Sequence, residues 1–228
     1  MKIDFANLQI QYQTYKLDID ASIHSVLKQS NYIMGDQVKQ LEDELSLFTG
    51  AKYTVTCSNG TDALLLALMA IDIKPGDEII TTPFTVVVDS TVPVIMGAEP
   101  VFADIDPDTH NIDPNSIEER ITDKTKAIIP VAHDGLPYDI DRVMEIANKH
   151  NLIVLEDNAQ AINAEYNGRY DGKDAHITML SFERTKHVST GEGGMLMTND
   201  TDLAVKARKL AGRGVISTSA KKSDWVAG

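Results

Sequence analysis

The feature that most constrains the fold is a regular alternation of short apolar runs with longer amphipathic stretches, from about residue 53 to about residue 211. The apolar runs are four to six residues long and rich in valine and isoleucine, as at 78–82 and 127–131. The stretches between them, such as 62–71 and 141–150, carry apolar residues at helical spacing. This alternation is typical of a mostly parallel, doubly wound sheet with helices on both faces, so it predicts an α/β fold.

The same pattern predicts the individual elements and a simple domain organisation. Strands are predicted at 53–57, 78–82, 100–105, 127–131, 152–156, 177–182 and 195–198. Helices are predicted at 38–48, 62–71, 85–96, 115–121, 141–150 and 202–211. An N-terminal arm and a further helix are expected within residues 1–33, and one large domain over residues 34–228.

Composition excludes several classes of function. The formal net charge of −13 disfavours nucleic acid as a partner, because nucleic acid binds to basic surfaces. The single cysteine, Cys57, excludes a disulfide within the chain and fits a reducing compartment. The N-terminal residues lack a hydrophobic signal core, and the longest apolar run, 63–71, is far shorter than the roughly 20 residues that span a bilayer. We therefore expect a soluble, cytoplasmic protein.

Polar residues follow several of the predicted strands. The sequence Ser58-Asn59-Gly60-Thr61 follows the first strand, Phe84 the second, Asp157 the fifth, and a loop with Lys186 the sixth. In sheets of this kind ligands bind beyond the carboxyl ends of the strands. We therefore expect these residues, although distant in sequence, to lie along one edge of the sheet.

The lysine suggests a type of chemistry. A lysine amine can bond covalently to an aldehyde cofactor, usually pyridoxal phosphate (PLP). Taken alone, Lys186 is more often a solvated loop residue, but two upstream groups suit the same cofactor. Gly60 and Thr61 open a helix whose free N–H groups favour phosphate. Asp157 ends an apolar strand, where its carboxylate needs a cationic partner such as a pyridinium nitrogen. The structural alternatives are a plain N-cap for the turn before the helix and a cap of the next turn for Asp157.

Three further residues fit the same ligand, and two of them also have a purely structural alternative. Phe84 offers an aromatic face for the cofactor ring or is a core residue. Gln160 could hydrogen-bond the phenolic oxygen of the ring. Ser181 is a second phosphate donor or a loop cap. No dinucleotide, ATP or serine-hydrolase motif is present, and His133-Asp134 alone does not predict a metal site.

Ordered blocks along nearly the whole chain resemble the DegT/StrS-type nucleotide-sugar aminotransferases, a branch of the fold-type-I PLP enzymes. The blocks are Phe5-Ala6-Asn7-Leu8, Tyr32-Ile33-Met34-Gly35, Ser58-Asn59-Gly60-Thr61-Asp62-Ala63-Leu64, Pro75-Gly76-Asp77-Glu78, Pro83-Phe84-Thr85, Gly97-Ala98-Glu99-Pro100, Asp104-Ile105-Asp106-Pro107, Glu156-Asp157-Asn158-Ala159-Gln160, Ser181-Phe182, Lys186 and Gly191-Glu192-Gly193-Gly194.

The resemblance implies a fold, an activity and residue roles. The fold would be the three-layer αβα large domain of these enzymes, with the family's small C-terminal domain missing after Gly228. The activity would be transfer of an amino group, usually from glutamate, to a keto group on a nucleotide-linked sugar, by a homodimer. The implied roles are a covalent link and proton transfer for Lys186, ring contacts for Asp157, Gln160 and Phe84, and phosphate contacts for Gly60, Thr61 and Ser181.

Departures from the family pattern leave alternatives open. Residues 131–137 read Val-Ala-His-Asp-Gly-Leu-Pro where the family has Val-His-Leu-Tyr-Gly-Gln-Pro, and Arg184 and His187 stand where many members have proline and asparagine. One alternative is a PLP-dependent sugar dehydratase, whose relatives have histidine in place of the lysine. Another is a truncated, non-catalytic PLP-binding protein. The choice between amination at C3 and at C4 also stays open, because N-terminal and lysine-loop blocks favour different positions.

Overall fold

The computed structural model describes residues 7–170, 172–212 and 214. Residues 1–6 of the predicted N-terminal arm lie outside the described residues. The helices are α1 (Leu8–Gln29), α2 (Asp36–Thr49), α3 (Gly60–Ala70), α4 (Val88–Ile95), α5 (Pro114–Glu119), α6 (Ile140–His150) and α7 (Thr201–Ala211). The strands are β1 (Tyr53–Cys57), β2 (Glu78–Thr81), β3 (Glu99–Phe102), β4 (Thr125–Ile129), β5 (Ile153–Asp157), β6 (Glu165–Tyr166), β7 (Arg169–Tyr170), β8 (Ile177–Ser181) and β9 (Gly194–Thr198).

Residue contacts group the chain into two units, Met1–Glu44 and Leu45–Gly228. The first unit contains α1, which begins after Asn7, whose side chain accepts a hydrogen bond from the Ile10 N–H at 3.0 Å. This helix ends at Ser30, which adopts the left-handed conformation. The second unit contains every strand and the residues of the candidate site.

A seven-stranded, mostly parallel sheet forms the centre of the second unit, as predicted from the sequence. Its strand order is β1-β9-β8-β5-β4-β2-β3. The pairs from β8 to β3 are parallel, whereas β9 runs antiparallel to both of its neighbours. Because β9 is reversed between them, β1 and β8 point the same way, and their carboxyl ends meet the carboxyl end of β5 at one edge.

Two hydrophobic clusters show that helices cover the two faces of this sheet. Alternate residues of one strand point to opposite faces. Accordingly Ile79 belongs to the cluster under α3, α4 and α7, and its neighbour Ile80 to the cluster under α5 and α6. In the same way Leu155 faces the first cluster and Val154 the second. Strands that are buried on both faces explain the nearly continuous apolar runs of the sequence.

Several element ends differ from the sequence predictions by two or three residues, as at β3, which ends at Phe102 and not at 105. The helix predicted at 85–96 begins at Val88 and has no side-chain cap, and the Thr85 hydroxyl donates a hydrogen bond to Asp89 within the helix. A hairpin of β6 and β7, joined by Asn167-Gly168, was not predicted. Both turn residues have positive φ, 50° and 72°, as a tight Asn-Gly hairpin turn requires.

Among the described residues, no helix combines the length and the apolar character that a membrane crossing needs.

Candidate active site

A cavity of about 630 Å³ lies at the carboxyl ends of β1, β5 and β8. Five of the residues predicted from the sequence line it: Gly60, Thr61, Asp157, Ser181 and Lys186. The remaining lining residues are Asn59, Asp62, Val86, Val88, Ala159, Met179, Glu183 and Glu192. The topology of the sheet thus brings together predicted site residues that are up to 126 positions apart in sequence.

The N-terminus of α3 forms one wall of the cavity. Asn59 caps this helix, and its Oδ1 accepts a hydrogen bond from the Asp62 N–H at 2.7 Å. The first N–H groups of a helix have no acceptor within the helix, so the turn at Gly60 and Thr61 favours an anion. Gly60 also lies against β8, since a Cβ at this position would be 2.9 Å from Ser181 Cβ and 3.2 Å from its Oγ. The hydroxyl of Ser181 and the start of α3 therefore face the same small space.

Gly194, the first residue of β9, lets this turn pack against the sheet. A Cβ on Gly194 would be 2.1 Å from the carbonyl oxygen of Asn59 and 2.8 Å from the nitrogen of Gly60. Only a residue without a side chain can lie this close to the turn. Sequence reasoning noted the glycines at 193–194 but assigned them no such contact.

Asp157 ends β5 at the floor of the cavity and is held there by its backbone. Its N–H donates to the Pro130 carbonyl at 2.9 Å, and its carbonyl accepts from the Ala132 N–H at 3.0 Å. Oδ1 of the side chain accepts the Ala159 N–H at 2.9 Å. The residue is only 2% exposed, and burial raises the pKa of its carboxyl group, while the nearby charge of Lys186 acts in the opposite direction.

Sequence reasoning missed a second buried carboxyl group next to Asp157. Asp89, in the first turn of α4, is fully buried. Its Oδ2 accepts the Thr85 hydroxyl at 2.7 Å, whereas its Oδ1 has no hydrogen-bond partner among the described residues. Burial first, and the charge of Asp157 second, raise the pKa of Asp89 to about 8. An aspartate among the valines of 86–94 was the signal that could have identified it.

Lys186 lies in a loop that folds back on itself. Its backbone N–H donates to the Glu183 carbonyl at 2.9 Å, and the Thr190 N–H donates to the Phe182 carbonyl at 3.0 Å. The lysine is half-buried and lines the cavity, whereas the adjacent His187 is exposed and does not line it. The Glu183 carboxylate turns back to its own loop, where it accepts the Thr185 N–H at 2.9 Å. The hydrogen bond that the Thr185 hydroxyl donates to the same carboxylate, and then that of the Thr185 N–H, lower the pKa of Glu183.

Two predicted site residues do not line this cavity. Phe84 is 45% exposed, and its ring packs against the imidazoles of His110 and His133, at centroid distances of 5.5 and 4.8 Å. Gln160 uses its Oε1 to accept the Asp134 N–H at 2.9 Å. That bond holds the short 3₁₀ turn at His133–Gly135, which replaces the Leu-Tyr-Gly of the family pattern. The contacts of Phe84 and Gln160 with a cofactor stay predictions.

The other possible sites in the described residues do not bring the predicted reactive groups together. In the described part of the chain, no group of three or more His, Cys, Asp or Glu side chains could hold a metal ion. A second cavity, of about 540 Å³, lies at the opposite edge of the sheet and includes Lys74, Lys126 and His176. It contains none of the residues predicted for the site.

Comparison with known proteins gives consistent results. The model of the DegT/DnrJ/EryC1/StrS aminotransferase family matches residues 13–227. The chain is 43% identical over 213 residues to a UDP-2-acetamido-2-deoxy-3-oxo-D-glucuronate aminotransferase of Pseudomonas aeruginosa, an alignment that covers 93% of this chain and 59% of the relative. The chain thus spans about three fifths of the length of that relative.

Solved structures agree in fold as well as in sequence. DesV of S. venezuelae, in complex with a ketimine intermediate, has a TM-score of 0.93 and 32% identity, covering 97% of this chain and 60% of DesV. NtdA from Bacillus subtilis, with bound cofactor PMP, has a TM-score of 0.87 and 33% identity, covering 94% of this chain and 48% of NtdA. The resemblance seen in the sequence and the predicted α/β fold are confirmed.

Proposed function

The chain belongs to the DegT/DnrJ/EryC1/StrS aminotransferase family, and from this premise we propose that it is a PLP-dependent aminotransferase of nucleotide-linked sugars. The amino group would come from glutamate and pass to a keto group of the sugar, for amino-sugar or surface polysaccharide biosynthesis. One observation carries the proposal: a lysine amine, a buried carboxylate and a helix N-terminus line the same cavity.

The residues of the cavity fit PLP in size and in donor set. A volume of about 630 Å³ is within the usual range for small-ligand sites, roughly 300–1,000 Å³. Lys186 would bond to the aldehyde, Asp157 would pair with the pyridine nitrogen, and Gly60, Thr61 and Ser181 would hold the phosphate. The buried carboxyl group of Asp157 supports this assignment, because a buried negative charge is stable only with a cationic partner.

When bound, PLP supplies an electron sink for the electrons released at the carbon that carries the amino group. Lys186 Nζ acts first as the nucleophile and then, once released, as the base and acid that moves a proton on that carbon. Asp157 acts by its charge. Its carboxylate is removed from water, so its attraction to a protonated ring is stronger than in solution. The backbone hydrogen bonds of Asp157, donated to the Pro130 carbonyl and accepted from the Ala132 N–H, fix that charge at the cavity floor.

The remaining assignments of this proposal rest on the family. We propose a homodimer, with residues 1–33 as the N-terminal arm and helix and residues 34–228 as the cofactor-binding part. Phe84 and Gln160 would contact the cofactor ring, as in the family pattern. The relative from Pseudomonas aeruginosa supports a nucleotide sugar as the amino acceptor. A cytoplasmic setting remains a prediction from the sequence.

The placement of the lysine favours amino transfer over the alternative dehydratase. In that alternative a histidine stands at the lysine position, but here Lys186 lines the cavity and His187 is exposed. The other alternative is a protein that binds PLP without turnover, and the experiment below distinguishes it from an aminotransferase.

The test is the first half of the reaction. Purified protein is loaded with PLP, freed of excess cofactor and mixed with L-glutamate, with D-glutamate as the control. The proposal predicts conversion of the bound cofactor to pyridoxamine phosphate and release of 2-oxoglutarate, with L-glutamate only. Bound PLP that stays unchanged with glutamate and with other L-amino donors would identify a non-catalytic binder and refute the proposed activity.

A further inference from the structure

Two buried carboxyl groups lie side by side under the cavity, and only one of them lines it. Asp89 is 0% exposed and Asp157 is 2% exposed, and Val88, the residue before Asp89, lines the same cavity as Asp157. Each of the two carboxyl groups also shifts the pKa of the other. Asp157 belongs to the cavity wall, whereas Asp89 lies behind it on α4. The second carboxyl group has no role in the function proposed above.

The hydrogen bonds of the pair are incomplete if both groups are ionised. An ionised carboxylate only accepts hydrogen bonds, so two of them cannot bond to each other. Asp89 Oδ2 accepts from Thr85 and Asp157 Oδ1 accepts from Ala159, but Asp89 Oδ1 has no partner in the part of the chain described. One proton on Asp89 would turn this unpaired oxygen into a donor toward Asp157.

The surroundings decide which member of the pair holds the proton. The charged or titratable groups that act on Asp89 are Asp157 and Lys186, and Thr85 is its hydrogen-bond donor. Two carboxylates in contact away from water cannot both stay charged at low cost. Burial raises the pKa of Asp157, but the Ala159 N–H, the charge of Lys186 and a hydrogen bond from Asp89 act in the opposite direction and favour its ionised form. Burial and the charge of Asp157 raise the pKa of Asp89.

We propose that Asp89 is a positioning residue of this site, which stays protonated and donates a hydrogen bond to Asp157, so that the pair carries one negative charge and that charge faces the cavity. Asp89 thereby fixes the orientation of the Asp157 carboxylate and keeps it ionised for a cationic ligand. The identity of that ligand rests on the proposed function. The shared proton does not, because it belongs to the protein without cofactor.

The test compares Asp89→Asn with the unsubstituted protein and with Asp123→Asn, an exposed control. Asparagine keeps the shape and a hydrogen-bond donor but cannot ionise. Urea unfolding of the cofactor-free protein is measured from pH 5 to pH 9. The folded-state pKa of Asp89, about 8, is above the ordinary pKa of an aspartate, so between these two values the folded protein holds a proton that the unfolded chain has lost.

The stability that this proton contributes is therefore fully present below the pKa that Asp89 has in the unfolded chain. It is lost as the pH rises toward 8. The unfolding equilibrium constant of the unsubstituted protein, divided by that of Asp89→Asn, should rise up to about tenfold per pH unit and level off above about pH 8. Asp123→Asn should show a constant ratio. A ratio for Asp89→Asn that does not change with pH would overturn the proposal, and so would a pH dependence that Asp157→Asn removes and Asp89→Asn leaves intact.

A second measurement does not depend on the folding of any variant. Infrared difference spectra of the unsubstituted protein should show the C=O stretch of a protonated buried carboxyl group at pH 6, lost as the pH rises through about 8. Absence of that band at pH 6 would refute the shared proton. Failure of the glutamate half-reaction with this band present would refute the proposed function and leave the carboxyl pair intact.

Discussion

Replacing Gly194 with alanine tests how the candidate phosphate turn is held. The added Cβ would be 2.1 Å from the Asn59 carbonyl oxygen and 2.3 Å from its carbon, both backbone atoms. Because carbon atoms normally lie about 3.5 Å or more from other heavy atoms, relief of this overlap requires a displacement of roughly 1 Å. Gly194 pairs with Cys57 on β1 and Ser181 on β8, so β9 has little freedom to move. The turn at 59–60 must move instead.

We expect Gly194→Ala to lower the stability of the protein strongly, although it adds only one methyl group. Overpacking of a well-packed interior costs about 1–3 kcal/mol, and a clash between backbone segments belongs at the upper end of that range. We expect Gly194→Ala to lower the free energy of unfolding by about 3 kcal/mol, measured by urea denaturation. A shift of about 1 Å in a binding group can cost roughly 100-fold in rate, so the glutamate half-reaction should slow by about that factor.

Gly191→Ala is the matched control in the same loop. Gly191 has a φ of +83°, and a Cβ there would meet nothing within 4 Å. Its replacement should cost only about 1 kcal/mol, from backbone strain alone, and should leave the rate nearly unchanged. If the two variants lost equal stability, or if Gly194→Ala reacted at the normal rate, the close approach of β9 to the turn would not be what holds the site.

Two further predictions concern other groups of the site. Asp157→Asn should still bind PLP covalently but should react with glutamate about 10²–10³-fold more slowly, because a preorganised charge is lost; a rate equal to that of Asp123→Asn in a stopped-flow assay would remove Asp157 from the mechanism. Burial raises the pKa of the Cys57 thiol to about 12. At pH 8 its alkylation by iodoacetamide, followed by mass spectrometry, should therefore be about a thousandfold slower in the folded protein than in urea, since the thiolate is the reactive form. Equal rates would contradict a raised pKa for this thiol.

Much of the fold follows from the sequence because local pattern and tertiary packing agree. The strand predicted at 53–57 is Tyr53–Cys57 in the structure, and the predicted helix 202–211 is Thr201–Ala211. Both lie where apolar periodicity is clear and polar residues mark the ends. The hairpin around Asn167-Gly168 was missed because each strand is only two residues long, although the Asn-Gly pair is a known hairpin signal.

The site was less predictable, since it depends on contacts between distant segments. The rule that ligands bind beyond the carboxyl ends of the strands was enough to predict that Gly60, Asp157 and Lys186 lie at one edge of the sheet. It could not show that Gly194 lies against Asn59, 135 positions away in sequence. Nor could it show that Asp89, in an apolar helix, turns inward toward Asp157, because periodicity does not reveal what a buried polar side chain contacts.

The most direct test of the central claim is the absorbance spectrum of the protein with PLP, before and after Lys186→Ala. The control is Lys124→Ala, which removes an exposed lysine. We predict that the visible band of covalently bound PLP is present in the unsubstituted protein and in Lys124→Ala and absent from Lys186→Ala. A band that persists unchanged in Lys186→Ala would place the covalent link on another residue and contradict the assignment of this cavity.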